Sequence, residues 1–156
     1  LAVPQSEVLI TTQFGMDVVL AHPEGFELED SVINAAKENA DRYGGSFKVI
    51  NDMKKAFEGA DFVYPKAWSP KQFVPPYSKT VNKEGASAYQ AKFKEWVTTR
   101  ELLDVTNKAC YMHCGPADRG QEVTDEVLDH YERSLYFEEA ENRLHVQKAV
   151  MTMTMG

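Results

Sequence analysis

The part of this 156-residue chain whose residue types best suit chemistry is YMHCGPADRGQEVTDEV, residues 111–127. An apolar run ends there in an imidazole, a thiol and a Gly-Pro turn, supplied by His113, Cys114, Gly115 and Pro116. Open parallel sheets bind their ligands at the carboxyl ends of the strands. The stretch is therefore the first candidate for a functional site, at the end of a predicted strand over residues 109–114.

A second predicted strand, residues 60–66, ends at Lys66, and Trp68 follows two residues later. Pro65 lacks the amide hydrogen that a paired strand residue donates, so pairing is expected to stop there. An ammonium and an indole would then join the thiol and the imidazole in one crevice. Convergence of two strand ends indicates a site more strongly than any single residue does.

Each of these residues also has an ordinary interpretation. A cysteine at a strand end is commonly a small buried apolar residue, and His113 could be a hydrogen-bonded packing residue. Strand alternation places His113 on the opposite face from Cys110 and Cys114, which argues against a zinc site and against a Cys-His nucleophile pair. The two cysteines, about 13 Å apart on one face, are too distant for a disulfide.

Arg143 lies in AENRLHVQKA, where a guanidinium could bind a phosphate or a carboxylate through two parallel hydrogen bonds. The alternative is a surface ion pair with Glu139 or Glu141, which spacing alone favours. The sequence contains no glycine-rich phosphate-binding loop of the Rossmann or P-loop type. We therefore expect neither a nucleotide cofactor nor a metal.

Apolar periodicity and turn residues predict strands that alternate with helices. The predicted strands span residues 16–21, 47–50, 60–66, 109–114 and 134–137. Ser31, Thr98 and Thr124 are the predicted helix caps, and Gly44 is predicted to end the helix that Ser31 begins. This order predicts an α/β fold, a Rossmann-like parallel sheet of about five strands with helices on both faces.

Bulk composition narrows the function classes. The net charge is -7, and no dense cluster of Lys and Arg alternates with aromatic residues, so nucleic acid is not an expected partner. No apolar run approaches the roughly 18 residues that a membrane span needs. The length suits one domain. We expect a cytoplasmic protein with two reduced thiols.

Two separated motifs resemble those of one known family. HCGPADRGQEVTDEV is similar to the His-Cys-Leu-Pro motif of ornithine-type carbamoyltransferases, and AENRLHVQKAV is similar to their closing Glu-Asn-Arg helix at the matching distance. The resemblance continues through FGMDVVLAHPEG, GGSFKV and VYPKAWSP and covers essentially the whole chain. VYPKAW and the Pro-rich residues after it look closest to the knotted branch, because the Asp…Ser-Met-Gly motif of true ornithine enzymes is absent.

The resemblance implies transfer of a carbamoyl group from carbamoyl phosphate to the amine of an ornithine-like or diamino acid, with release of phosphate. It implies a homotrimer whose active sites lie between subunits. Cys114 and the Gly115 carbonyl would touch the carbamoyl amide and the acceptor, and Arg143 would face carbamoyl phosphate. Asn142 would belong to the same substrate-binding motif.

By the same resemblance, Lys66 and Trp68 would bind the carboxylate end of the acceptor. His113 and Pro116 would shape the turn. An amine that attacks an already activated carbonyl needs orientation and charge stabilisation more than a protein nucleophile. The residue types therefore suit the implied reaction.

The resemblance further implies that residues 1–156 are the acceptor-binding domain, a fragment without its first strand and without the N-terminal carbamoyl-phosphate domain that holds a Ser-Thr-Arg-Thr-Arg segment. Such a fragment is expected to be inactive alone. Gly115 replaces the family's usual Leu, which leaves ornithine, an acylated ornithine or another small diamino acid as possible acceptors. The alternative is a noncatalytic α/β amino-acid-binding or regulatory module that has lost the chemistry.

Overall fold

The computed structural model describes residues 2–66 and 70–155. Trp68, a predicted acceptor-binding residue, lies outside the described residues. The described chain forms two compact units, one of residues 2–56 and 70–96, the other of residues 57–66 and 97–155. None of the helices in the described ranges is long and apolar enough to cross a membrane.

The first unit pairs two strands in parallel and packs helices near them. Its elements are α1 (Ala2–Gln13), β1 (Asp17–Ala21), α2 (Asp30–Tyr43), β2 (Ser46–Ile50), the start of α3 (Met53–Phe57) and α4 (Lys83–Gln90). The register of the pair runs from Asp17 opposite Ser46 to Ala21 opposite Ile50. Val8, Leu28 and Ala36 form the buried centre of the unit. The strands predicted at residues 16–21 and 47–50 are therefore confirmed within one residue.

Helix α2 begins two residues earlier than its predicted cap requires. The cap is Glu29, whose side chain makes no capping hydrogen bond, and its carbonyl accepts from the amides of Val32 and Ile33 at 2.9 and 3.0 Å. The prediction of Ser31 as the cap is wrong because these bonds already enclose it in the first turn. The end of the helix is as predicted, since Gly44 adopts φ +85°, which glycine adopts without steric cost.

The second unit contains the predicted strand ends. Its elements are β3 (Phe62–Val63), α5 (Arg100–Leu103), β4 (Cys110–Tyr111), α6 (Asp125–His130) and α7 (Tyr136–Met155). Strands β3 and β4 are parallel neighbours, with Phe62 opposite Cys110 and Val63 opposite Tyr111. The most deeply buried apolar residues of this unit are Leu103, Ala109, Tyr111, Val123, Val127 and Leu128.

The α/β class with parallel strands is confirmed, but the predicted single sheet of about five strands is not. The described residues form two sheets of two strands each. The strand predicted at 134–137 is reduced to a bridge, in which Tyr111 N donates to Arg133 O and Leu135 N donates to Tyr111 O. Helix α7 starts at Tyr136, and the acidic Glu138 and Glu139 in its first turn favour a helix start.

The predicted cap at Thr98 is displaced by one residue. Thr99 caps α5 and accepts from Leu102 N, whereas Thr98 is fully buried and bridges to Val123 as a strand residue would. The backbone of Thr98 exchanges hydrogen bonds with Glu122 and Thr124, which excludes it from the helix turn. The prediction of Thr124 as the cap of α6 is confirmed, because its side chain accepts from Val127 N.

Candidate functional site

The candidate site is the tip of chain that follows β4. Met112 N still donates to Val63 O at 2.9 Å, and after it the backbone leaves the sheet. His113 is buried, Cys114 and Gly115 are half-buried, and Pro116 is exposed. Gly115 has φ +61° and is joined to Pro116 by a cis peptide bond. The positive φ of Gly115, which glycine adopts without steric cost, turns the chain at the strand end.

The His113 side chain closes this turn from inside. Gly115 N donates to His113 Nδ1 at 2.9 Å, and His113 Nε2 lies 3.0 Å from Glu122 Oε2. Nδ1 must accept the amide hydrogen, so the ring proton is on Nε2 and is donated to the carboxylate. Both ring nitrogens are thus engaged, and His113 is not placed to act as a base.

Glu122 is the centre of the network. Its side chain is 1% exposed, and Oε2 also accepts from Asp118 N at 2.9 Å. Oε1 lies 3.5 Å from Lys66 Nζ, which in turn donates to Pro116 O at 3.1 Å. A carboxylate buried to this degree is costly unless it is paired and hydrogen-bonded, and here His113, the Asp118 amide and Lys66 compensate it.

A second carboxylate reaches the same tip from α7. Glu139 Oε2 accepts from His113 N at 2.8 Å, and Glu139 Oε1 accepts from the Tyr64 hydroxyl at 2.7 Å. The rings of His113 and Tyr136 lie 6.1 Å apart. The first turn of α7 therefore fixes the backbone at the start of the tip.

Tyr111 lies beneath the tip and is fully buried. Burial, and next the nearby negative charge of Glu122, raise the pKa of the Tyr111 phenol well above its usual range. The phenol is therefore neutral at any physiological pH. This residue is part of the packed support and not an acid-base group.

The structure brings together some of the predicted site residues and leaves others apart. Lys66, His113, Gly115 and Pro116 share one hydrogen-bonded network. Cys114 lies within the same tip. Parallel pairing of β3 with β4 is what places Lys66 beside Pro116.

Arg143 and Asn142 lie on an exposed stretch of α7. Asn142 Nδ2 donates to Glu138 O of its own helix at 2.7 Å. The two carboxylates considered as ion-pair partners of Arg143 are directed elsewhere, Glu139 to the tip and Glu141 towards His145, 4.0 Å away. In the part of the chain that the structure describes, no ion pair holds the Arg143 guanidinium.

Both cysteines are free thiols, as predicted. Cys110 Sγ accepts from Arg133 Nη2 at 3.1 Å, so the two thiols have different surroundings. Strand β4 ends at Tyr111, before His113 and Cys114. The strict alternation used to place His113 and Cys114 on opposite faces therefore does not extend to them, although the engaged imidazole still excludes a Cys-His nucleophile pair.

Sequence reasoning missed Glu122, Glu139, Tyr64 and Tyr136. The only local signal for Glu122 is that an acidic residue lies between a glycine turn and the apolar residue Val123. This pattern is also common on protein surfaces. A histidine predicted to be buried needs hydrogen-bond partners for both ring nitrogens, and that requirement is the one signal that could have prompted a search for a nearby carboxylate.

Taken together, the fold and the site define an α/β domain in which a strand-end loop presents a thiol and backbone carbonyls beside a lysine. The loop is supported by the buried carboxylate of Glu122 and the half-buried carboxylate of Glu139. Such an arrangement can orient a ligand and stabilise charge.

The chain belongs to the aspartate/ornithine carbamoyltransferase family. Residues 2–154 match the Asp/Orn-binding domain of that family. The anabolic ornithine carbamoyltransferase of Pyrococcus furiosus is 37% identical, over 99% of this chain and 46% of that protein. The ornithine carbamoyltransferase of Symbiobacterium thermophilum is 39% identical, over 92% of this chain and 44% of that protein. The chain thus spans less than half the length of the curated relatives it matches.

Solved structures agree with this assignment. A crystal structure of an N-acetyl-L-ornithine transcarbamylase mutant complexed with carbamyl phosphate and N-succinyl-L-norvaline superposes with a TM-score of 0.84 at 34% identity, over 95% of this chain and 43% of that one. An acetylornithine transcarbamylase complexed with acetylcitrulline gives the same TM-score and identity, over 95% and 42%. The predicted resemblance to the carbamoyltransferase family is confirmed.

Proposed function

We propose that this chain is the acceptor-binding domain of a carbamoyltransferase that transfers the carbamoyl group of carbamoyl phosphate to the amine of an ornithine-like or diamino acid. The observation that supports this most is the tip of residues 113–116, held by Lys66 and Glu122 in a chain that belongs to the carbamoyltransferase family. We place the complete protein in the cytoplasm as a homotrimer. Its active sites would lie between subunits.

In the proposed reaction the acceptor amine attacks the carbonyl carbon of carbamoyl phosphate. A C–N bond forms, and the bond between the carbonyl carbon and the bridging phosphate oxygen breaks. Phosphate leaves with the electron pair of that bond, and the attacking amine loses a proton. The Gly115 carbonyl and the Cys114 thiol would accept hydrogen bonds from N–H groups of the acceptor and of the carbamoyl amide. Positioning of the reactants can lower the barrier by ~7–11 kcal/mol, and orientation by these two groups can supply several kcal/mol of that reduction.

Charge stabilisation would come from cations of the same chain. Arg143 would face the phosphate, as the exposed guanidinium on α7 allows, with Asn142 in the same motif. Lys66 and Trp68 would bind the carboxylate of the acceptor. Lys66 is 19% exposed, donates to Pro116 O and pairs with Glu122, so within residues 2–66 and 70–155 one of its three N–H donors is left for a ligand.

The test is a carbamoylation assay of the complete protein that contains this chain, with ornithine, N-acetylornithine, N-succinylornithine and other small diamino acids. We expect carbamoylated product with one class of amine, in a 1:1 ratio with released phosphate. Acylated ornithines are tested first because solved relatives are named for them. A folded protein that carbamoylates none of the amines would contradict the proposal.

The 156-residue chain alone should yield no product under the same conditions, because a donor site is proposed to lie on another domain. Measurable product from the isolated chain would refute that division. A noncatalytic amino-acid-binding module is the second candidate, favoured by Gly115 at the family's Leu position and by the Arg143 guanidinium, which forms no ion pair with another described residue. Calorimetry separates the two candidates, since the module would bind an amino acid without consuming carbamoyl phosphate.

A further inference from the structure

Glu122 connects the two ends of the tip loop. On one side, its Oε2 accepts the His113 Nε2 proton, and His113 Nδ1 accepts the Gly115 amide. On the other side, its Oε1 pairs with Lys66, whose ammonium donates to the Pro116 carbonyl. One buried carboxylate therefore restrains the N–H of Gly115, which precedes the Gly115–Pro116 peptide bond, and the C=O of Pro116, which follows it.

The imidazole can play this part in one protonation state only. A proton on Nδ1 would leave the Gly115 N–H without its acceptor, and a ring without a proton on Nε2 would place a lone pair against the Glu122 carboxylate. The negative charge of Glu122 selects the tautomer that donates from Nε2. The tautomer in turn holds the Gly115 amide at 2.9 Å.

The Gly115 carbonyl lies between these two restraints. Among residues 2–66 and 70–155, none donates a hydrogen bond to the Gly115 oxygen. Gly115 has φ +61° and no side chain, so its backbone has few restraints of its own. The direction of this carbonyl therefore depends on the groups that hold the atoms on either side of it.

We propose that Glu122 is a positioning residue of the acceptor site, which acts through His113 and Lys66 to keep the Gly115 carbonyl directed at the acceptor amine. This inference rests on the carbamoyl-transfer function proposed above. Glu122 does not touch the substrate, because its side chain is 1% exposed. Its role is separate from that of Lys66 as an acceptor ligand, since it requires only the Lys66 bonds within the protein.

The first measurement is the tautomer of His113, which needs no substrate. In protein labelled with ¹⁵N-histidine, the His113 signals are assigned by their loss in H113N. We expect one protonated nitrogen, Nε2, in the wild type, and a mixed or altered tautomer in E122A. A proton on Nδ1 in the wild type, or an unchanged spectrum in E122A, would overturn the inference.

The second measurement is steady-state kinetics of the complete protein with the amine that proves to be its substrate. E122Q preserves the side-chain volume and one acceptor oxygen but removes the charge that faces Lys66. Misplacement of a reacting group by 1 Å can cost about 10²-fold in rate. We expect kcat/KM for the acceptor to fall by about 10- to 100-fold, with the KM for carbamoyl phosphate nearly unchanged.

Two comparisons separate positioning from general damage. K66M should also lower kcat/KM for the acceptor. The double variant E122Q/K66M should lose less activity than the product of the two single-variant losses, because both substitutions break the same Glu122–Lys66 pair. E126Q, which alters an exposed glutamate of α6, should match the wild type. Wild-type kinetics in E122Q and E122A would overturn the inference with the proposed function intact, whereas an inactive wild type would refute that function itself.

Discussion

The backbone amide of Gly115 donates to Nδ1 of His113 at 2.9 Å, across a turn of only two residues. This bond requires the imidazole to carry its proton on Nε2, where the Glu122 carboxylate receives it. The histidine of the tip is therefore a structural connector and not a general base. The chemistry proposed for the site is then left to backbone carbonyls, the Cys114 thiol and cations.

The glycine at position 115 is expected to be required by its conformation and by Tyr136. Gly115 has φ +61°, and an added Cβ would lie 3.1 Å from the Tyr136 hydroxyl oxygen. G115A should lower the free energy of unfolding by more than the ~1–2 kcal/mol that a left-handed backbone costs an L-residue. Urea denaturation measures the loss.

Gly120 provides the matched control, since it has φ +74° and a Cβ there would have nothing within 4 Å. G120A should show the conformational cost alone. Adding Y136F to G115A should remove the excess over G120A. Equal stability of G115A and the wild type would contradict the requirement for glycine.

Removal of the side-chain hydroxyl should affect stability differently at Tyr111 and at Tyr131. Tyr111 is fully buried, and no residue in the described ranges hydrogen-bonds its hydroxyl, whereas the Tyr131 hydroxyl donates to Ala109 O at 2.7 Å. An unsatisfied buried polar group costs ~1–3 kcal/mol, and a satisfied hydrogen bond contributes ~1 kcal/mol. Y111F should leave unfolding free energy unchanged or raised, and Y131F should lower it by about 1 kcal/mol. A large loss in Y111F would show that its hydroxyl has a partner.

The two cysteines should differ in their effect on acceptor use. Cys114 lies in the tip, while Cys110 lies in β4 against Arg133. If the Cys114 thiol receives a hydrogen bond from the substrate, C114A should lower kcat/KM for the acceptor by roughly 10-fold, as loss of ~1.4 kcal/mol requires. C110A should retain wild-type kinetics in the complete protein. The reverse order would remove Cys114 from the site.

Arg143 should affect rate with little effect on stability. It is exposed on α7 and holds no ion pair within the described chain, so R143A should unfold at the same denaturant concentration as the wild type. If its guanidinium stabilises the departing phosphate, the variant should lose at least about 10²-fold in kcat. K148A, another exposed cation of α7, should keep full activity. A fully active R143A would refute the phosphate-binding role.

Much of the fold was predictable from local patterns. The strands around Asp17–Ala21 and Ser46–Ile50, the glycine stop at Gly44 and the Thr124 cap depend on apolar periodicity and on backbone preferences within a few residues. The errors lie where a neighbour in space overrides a local preference. Thr98 is paired with Val123 and so cannot cap a helix, and half of the predicted fifth strand is taken by the first turn of α7.

The sequence by itself determined the family, the parallel α/β class and the tip of residues 113–116, because motifs and glycine turns are written in consecutive residues. Tertiary structure alone decided which groups hold that tip, since Lys66 and Pro116 are separated by 50 positions and meet only through strand pairing. The partners of a buried charge have to lie close to it in space, and any carboxylate of suitable reach could have been the partner of His113 and Lys66. For that reason Glu122 became visible only in the folded chain.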